Sequence, residues 1–185
     1  MNRGHFIELL AEYRERYPQE SGTVDRFAGF VRDEPDCFRR DCWAGHVTGS
    51  AWVVDASSTH VLLTHHRKLD RWLQLGGHSD GDDDPLRVAC REAFEESGLA
   101  AQPLSRALFD VDIHLIPARR NDPAHHHFDA RFVLGVALGD ENFRVSDESH
   151  ALRWARIDTL TEVTTEASML RMADKWLADR DRYHR

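Results

Sequence analysis

Apolar side chains near the start of the chain recur three and four positions apart among Glu and Arg residues, which predicts an amphipathic helix over 5–17, stopped by Pro18. A second helix is predicted over 23–32, with Ser21 or Thr23 as its N-cap and Pro35 ending it. The pattern then changes. Residues 46–54 (HVTGSAWVV) and 60–64 (HVLLT) are β-rich runs separated by the turn-prone Asp55-Ala56-Ser57-Ser58, a hairpin signal. A charged loop at 65–71 leads into Trp72-Leu73-Gln74-Leu75 and the pair Gly76-Gly77. After an acidic turn at 79–84, Pro85 suits the first turn of a helix that runs through Ser97 and ends at Gly98, a natural left-handed cap. Later strands are predicted at 104–116, 127–138 and 152–157, with a last helix at 166–179. Trp52, Phe132, Val133 and Trp154 are assigned to the core. Met169, Met172 and Trp176 follow helical spacing and are expected to pack inward or at a homodimer contact.

This order of elements, with no internal repeat and no low-complexity linker, predicts an α/β protein. It reads as a mixed α/β/α sandwich at 41–185 behind an N-terminal helical extension at 1–40. A chain of 185 residues has room for one such core plus a short extension. Hydrophobic content of 41% with 30% charged residues is ordinary for a globular protein, and no apolar run approaches the roughly eighteen residues of a membrane span. Three cysteines (Cys37, Cys42 and Cys90) make no disulfide framework and no CxxC pair, so a reduced, cytoplasmic setting is expected. The net charge of −8 argues against a nucleic-acid polymer or an anionic membrane as partner. The same charge would repel a phosphate substrate, unless bound cations invert the local field.

The segment Arg91-Glu92-Ala93-Phe94-Glu95-Glu96 carries the most chemistry. On a helix Glu92, Glu95 and Glu96 fall at i, i+3 and i+4, within about 100° of surface. Leu86, Cys90, Ala93 and Phe94 lie on the nearly opposite side and are expected to bury against the sheet. Three crowded carboxylates repel one another, and the cluster becomes favourable when hard divalent cations take its oxygens. A solvated acidic face is the alternative for any one Glu-rich helix.

Upstream residues change that balance. Reading from Gly77, five residues lead to Asp83, seven more to Arg91, and then Glu92-Ala93-Phe94-Glu95-Glu96-Ser97-Gly98-Leu99 follows. This resembles the signature of the Nudix hydrolase family, G-x5-E-x7-R-E-U-x-E-E-x-G-U with U apolar, and departs from it only where Asp83 replaces the first Glu. The resemblance implies the Nudix α/β/α sandwich, a loop–helix–loop site at 77–99, and a metal-dependent hydrolase that cleaves a diphosphate (P–O–P) linkage. It implies that Glu92, Glu95 and Glu96 hold Mg2+ or Mn2+ together with Gly77, and that one carboxylate acts as base. Arg91 would orient a carboxylate and Gly77 would permit a tight bend. The shorter Asp83 puts its partnership with Arg91 in question. The expected substrate is a small molecule, a nucleoside diphosphate linked to another moiety or a relative of one.

The general base varies in this family, and Glu148, ahead of the strand at 152–157, is the candidate outside the box. Arg67, Lys68 and Arg71 form a basic island that would meet substrate phosphates, Arg131 is a further candidate, and Trp72 would stack on a base. His46 and Gly77-His78 also resemble isopentenyl-diphosphate isomerase, whose histidines at these places bind a metal; His127 and Asp129 would complete such a site. The isomerase's essential cysteine falls where this chain has Gly76, which opposes isomerisation. A third reading is a non-catalytic ligand-binding regulator built on the same fold.

Overall fold

The Asn2 side chain accepts the His5 backbone N–H at 3.0 Å and so caps the first helix, α1 (Arg3–Arg16). A short 3-10 turn, Pro18–Glu20, runs directly into α2 (Ser21–Asp33). The Ser21 N–H donates to the Pro18 carbonyl, so the helix starts without a side-chain cap and Ser21 lies inside it, contrary to the expected capping role. The computed structural model describes residues 2–119, 122–147 and 149–183.

Eight strands form one mixed sheet: β1 (His46–Val54), β2 (His60–His66), β3 (Arg71–Leu73), β4 (Leu75–His78), β5 (Gln102–Pro103), β6 (Asp110–Ile116), β7 (His125–Gly135) and β8 (Ser149–Arg156). Strands β1 and β7 run parallel with His46 opposite His127, and every other pairing is antiparallel. The hairpin turn between β1 and β2 is tied by Asp55, whose Oδ1 accepts the N–H groups of Thr59 and His60 at 2.9 Å each.

Two hydrophobic layers sandwich the sheet. On one face Val47, Ala51, Val53, Phe128 and Phe132 pack with α1, α2 and α3 (Pro85–Ser97). On the other, Trp52, Val54, Leu63 and Val133 pack with α4 (Ala167–Asp179) through Met169, Met172 and Trp176. The methionines and Trp176 therefore point inward rather than to a dimer contact. Phe6, Leu10, Tyr13, Phe27 and Val31 of residues 1–40 belong to the same cluster as Val47 and Phe128, so the N-terminal helices share the sheet's core. Among the described residues no helix is long and apolar enough to cross a membrane.

Helix α3 is set by its ends. Asp84 accepts the Arg87 N–H at 3.1 Å, Pro85 occupies the first turn, and Gly98 closes the helix at φ 72° with its N–H on the Phe94 carbonyl at 2.7 Å. The helix lies so close to β1 that a Cβ on Gly49 would collide with the Pro85 carbonyl oxygen. Its buried side includes Leu86, Ala89, Ala93 and Glu96; Phe94 instead lies on the outer flank, 58% exposed, which corrects its expected burial. The strand expected at 104–116 is broken: after β5 the chain loops, with Ser105 Oγ accepting the Ala107 N–H, and backbone pairing with β7 resumes at Phe109, whose N–H donates to the Arg131 carbonyl at 2.9 Å.

Candidate active site and histidine cluster

Gly76 and Gly77 in β4 lie opposite Ser50 and Gly49 of β1, directly under α3. The Gly76 N–H donates to Glu96 Oε1 at 2.8 Å. The Glu92 carboxylate fills the space that a Cβ on Gly77 would need. Gly77 thus serves a close approach of strand and carboxylate, not the sharp bend expected of it. Arg91 Nη2 reaches Glu92 Oε1 at 2.8 Å and the His78 carbonyl at 2.7 Å, and its Nε stands 4.0 Å from Glu95. The hydrogen bond that Arg91 donates to Glu92 holds the guanidinium above its ordinary pKa despite partial burial. Glu92 and Glu96 are largely buried, whereas Glu95 projects to solvent with its side chain 60% exposed. This is an all-oxygen donor set, the kind Mg2+ and Mn2+ prefer.

Asp83 makes no ion pair with Arg91. In the acidic turn it is Asp82 that forks onto Arg87, at 2.7 Å from Nε, while Asp84 caps the helix. Arg91 is bound instead to Glu92 and the His78 backbone.

Next to this region the sheet carries a polar ladder. The rungs are His46, His127 and His114, then Thr48, Asp129 and Asp112, then Ser50, Arg131 and Asp110, with His78 of β4 opposite Thr48. At the histidine end the rings of His46 and His127 lie 4.7 Å apart between centroids, and His78 lies 5.0 and 5.1 Å from them. His125 joins them, 4.8 Å from His46. One ring nitrogen from each of His46, His125 and His127 lies within 4.8 Å of the others. Burial lowers the pKa of His46, pushes His78 down to about 4 and His127 down to about 2; the Arg40 charge adds to the effect on His78, and His78 and His46 add to that on His127.

Asp129 does not belong to that cluster. Its Oδ1 accepts from Thr48 at 2.8 Å and Ser50 at 2.7 Å, and its Oδ2 from Gln74 at 3.2 Å and Arg131 at 2.7 Å, one rung beyond the imidazoles. Arg131 is likewise withdrawn from any substrate: its guanidinium is buried among Asp129, Asp110 and Asp112 at 2.7, 2.9 and 3.0 Å. Its expected phosphate contact is corrected to a structural one. His125 and the carboxylates at 110 and 112 were the residues missed. The signal was present, because the strand expected at 104–116 already alternates 110 and 112 onto one face, and 125 joins 127 on one face once the strand expected from 127 is seen to begin at His125.

The basic island is dispersed. Lys68 is exposed, Arg67 Nη2 approaches the Ser149 carbonyl at 3.4 Å, and Arg71 pairs with Glu166 at 3.0 Å. Trp72 is half-buried and stacks on His65 with centroids 5.0 Å apart. Glu148 lies outside the described residues.

A NUDIX domain model matches residues 46–176. Among solved structures, a MutT NUDIX hydrolase from Burkholderia pseudomallei aligns with TM-score 0.55 at 25% identity, over 71% of this chain and 97% of its own. The E. coli dihydroneopterin triphosphate pyrophosphohydrolase aligns with TM-score 0.57 at 15% identity, over 72% and 95%. A NUDIX-family hydrolase from Clostridium perfringens aligns with TM-score 0.51 at 24% identity, over 72% and 97%. At those identities the last two share the fold. No curated protein matches the sequence.

Proposed function

The chain belongs to the Nudix hydrolases, a family of pyrophosphohydrolases, and from that premise we propose that it cleaves the P–O–P linkage of a nucleoside diphosphate joined to another group, or of a related small molecule, with Mg2+ or Mn2+. The observation that carries this reading is the packing of Glu92 and Glu96, one turn apart on α3, against the Gly76-Gly77 backbone. Glu92, Glu95, Glu96 and the Gly77 backbone would hold the ion. When bound, it supplies charge neutralisation on the diphosphate and a more acidic water.

The protein's own contribution is positional. Arg91 holds Glu92 in one orientation and bridges to the His78 carbonyl, so the carboxylate face and the end of β4 move as one. The hydrogen bond from Gly76 keeps Glu96 inside the strand–helix junction. Glu95 faces solvent, where water and substrate arrive, and with Glu148 it is a candidate for the base. The stacked pair Trp72–His65 offers a flat flank for a nucleobase, and Arg67 and Lys68, in the turn between β2 and β3, bring positive charge to the phosphates. Dihydroneopterin triphosphate, named for the E. coli relative, has the same general form of a ring joined to a phosphate chain. Three thiol cysteines suit a cytoplasmic setting, and burial pushes Cys37 up to about 11, an unreactive value.

Incubation with dinucleotides, nucleotide sugars and nucleoside triphosphates, with and without Mg2+ or Mn2+, tests the proposal through phosphorus NMR of the products. Metal-dependent cleavage of at least one class at a P–O–P bond is expected; a folded protein that binds such compounds without turnover would make it a regulator instead. Gly77→Ala should fold, because the atoms nearest the new methyl belong to the end of the Glu92 side chain, yet lower kcat/KM by about 100-fold by displacing that carboxylate.

A further inference from the structure

Neutral imidazoles packed together inside a protein need partners for both ring nitrogens. His46 is 1% exposed, and its Nδ1 faces the Cys42 carbonyl at 3.4 Å. His125 Nδ1 faces the Pro123 carbonyl at 2.8 Å. A carbonyl only accepts, so each Nδ1 carries the proton and each Nε2 presents its lone pair. Nε2 of His46 and Nε2 of His127 are buried with no hydrogen-bond partner among the described residues. His46 shows both halves, a carbonyl facing Nδ1 and a bare Nε2, which is the arrangement that orients a histidine toward a metal.

We propose that His46, His125 and His127 bind a borderline divalent transition-metal ion of the Zn2+ class, at a site separate from the carboxylates of α3. Imidazole nitrogen selects Zn2+, Co2+, Ni2+ or Cu2+ over Mg2+, whereas the oxygen set on α3 has the opposite preference. A tetrahedral ion with bonds of about 2.0–2.1 Å places ligand nitrogens roughly 3.4 Å apart, so the nitrogens, now within 4.8 Å of one another, need to close by at most about 1.4 Å. Three nitrogens leave a fourth position for water, a substrate oxygen or the neighbouring ring of His78. His78 also links the two regions, because its carbonyl receives Arg91, which in turn holds Glu92.

The inference stands apart from the hydrolytic reading, and one experiment separates them. The intact chain, stripped with EDTA, is titrated with Co2+ and then Zn2+, following visible absorption and heat. One equivalent of Co2+ should bind with the absorption of a low-symmetry nitrogen site, and Zn2+ should displace it. His125→Ala and His127→Ala should each weaken binding by at least about 100-fold, while the double variant Glu95→Gln/Glu96→Gln keeps it within a few-fold. Should His127→Ala fail to fold, His125→Ala decides alone, because that ring sits at the end of β7. Absence of stoichiometric binding, or binding that survives both histidine changes, or binding lost in the glutamine variant, would each overturn the proposal.

Discussion

At the Arg131 end of the polar ladder all four carboxylate oxygens of Asp110 and Asp129 accept hydrogen bonds, and Asp110 alone meets Arg131, Arg171 and Lys175. Two rungs away, the Nε2 atoms of His46 and His127 meet no partner among the described residues. Both groups are buried on the same face of the same three strands. Burial therefore does not distinguish them; saturation does. A network that is closed on itself fastens elements together, and here Lys175 of α4 reaches Asp110 of β6, Tyr13 of α1 and Glu20 beyond it. A buried group with bare lone pairs calls for a partner, an ion or a water, that its neighbouring side chains do not supply.

Substitutions at the two ends should diverge accordingly. The largest effect is expected from Asp110→Asn, which leaves three buried or half-buried cations short of their counter-charge. A loss of about 3–5 kcal/mol, or roughly 6–20 °C in thermal midpoint, is predicted by calorimetry. An intermediate effect concerns acid. Burial pushes the Asp110 carboxyl up, but the hydrogen bond from Arg171 and the charges of Arg131, Lys175 and Arg171 outweigh it and hold it below its ordinary 3.8. The unfolded state therefore binds more protons in that window, so this stability is complete above pH 3.8 and drains as pH falls through the lower folded value. Arg171→Met raises the folded value, and circular dichroism across the acid range should show unfolding beginning at higher pH than in the unaltered chain. The smallest effect is expected at the other end. In metal-free protein His127→Phe removes a nitrogen with no partner and keeps a ring of similar shape, so stability should change by no more than about 1.5 kcal/mol. A loss as large as that of Asp110→Asn would erase the distinction.

Local rules carried most of the fold. Pro85, Gly98 and the turn at Asp55 act within a few residues of themselves, so the bounds of α3 and the first hairpin were legible from sequence. The box carboxylates were equally legible as a spacing. What sequence could not convey was pairing across the sheet. The placement of Asp129 and Arg131 depends on β6 supplying Asp110 and Asp112 next to β7, a contact between residues about twenty positions apart. His125 was hidden because it falls just before the strand expected from 127, while the pairing with β6 extends β7 back to it. Phe94 was misplaced because helical spacing alone cannot say how far α3 is rolled on the sheet; the close contact at Gly49 sets that roll and sends Glu96 inward instead.

The rate of P–O–P hydrolysis as a function of Mg2+ or Mn2+ concentration, compared between the unaltered chain and folded Glu92→Gln, Glu95→Gln and Glu96→Gln variants, tests the carboxylate site most directly. A saturable metal requirement in the unaltered chain, with rates at least about 100-fold lower in the variants, is the predicted result. Equal rates in all four proteins, or hydrolysis indifferent to the metal, would contradict it.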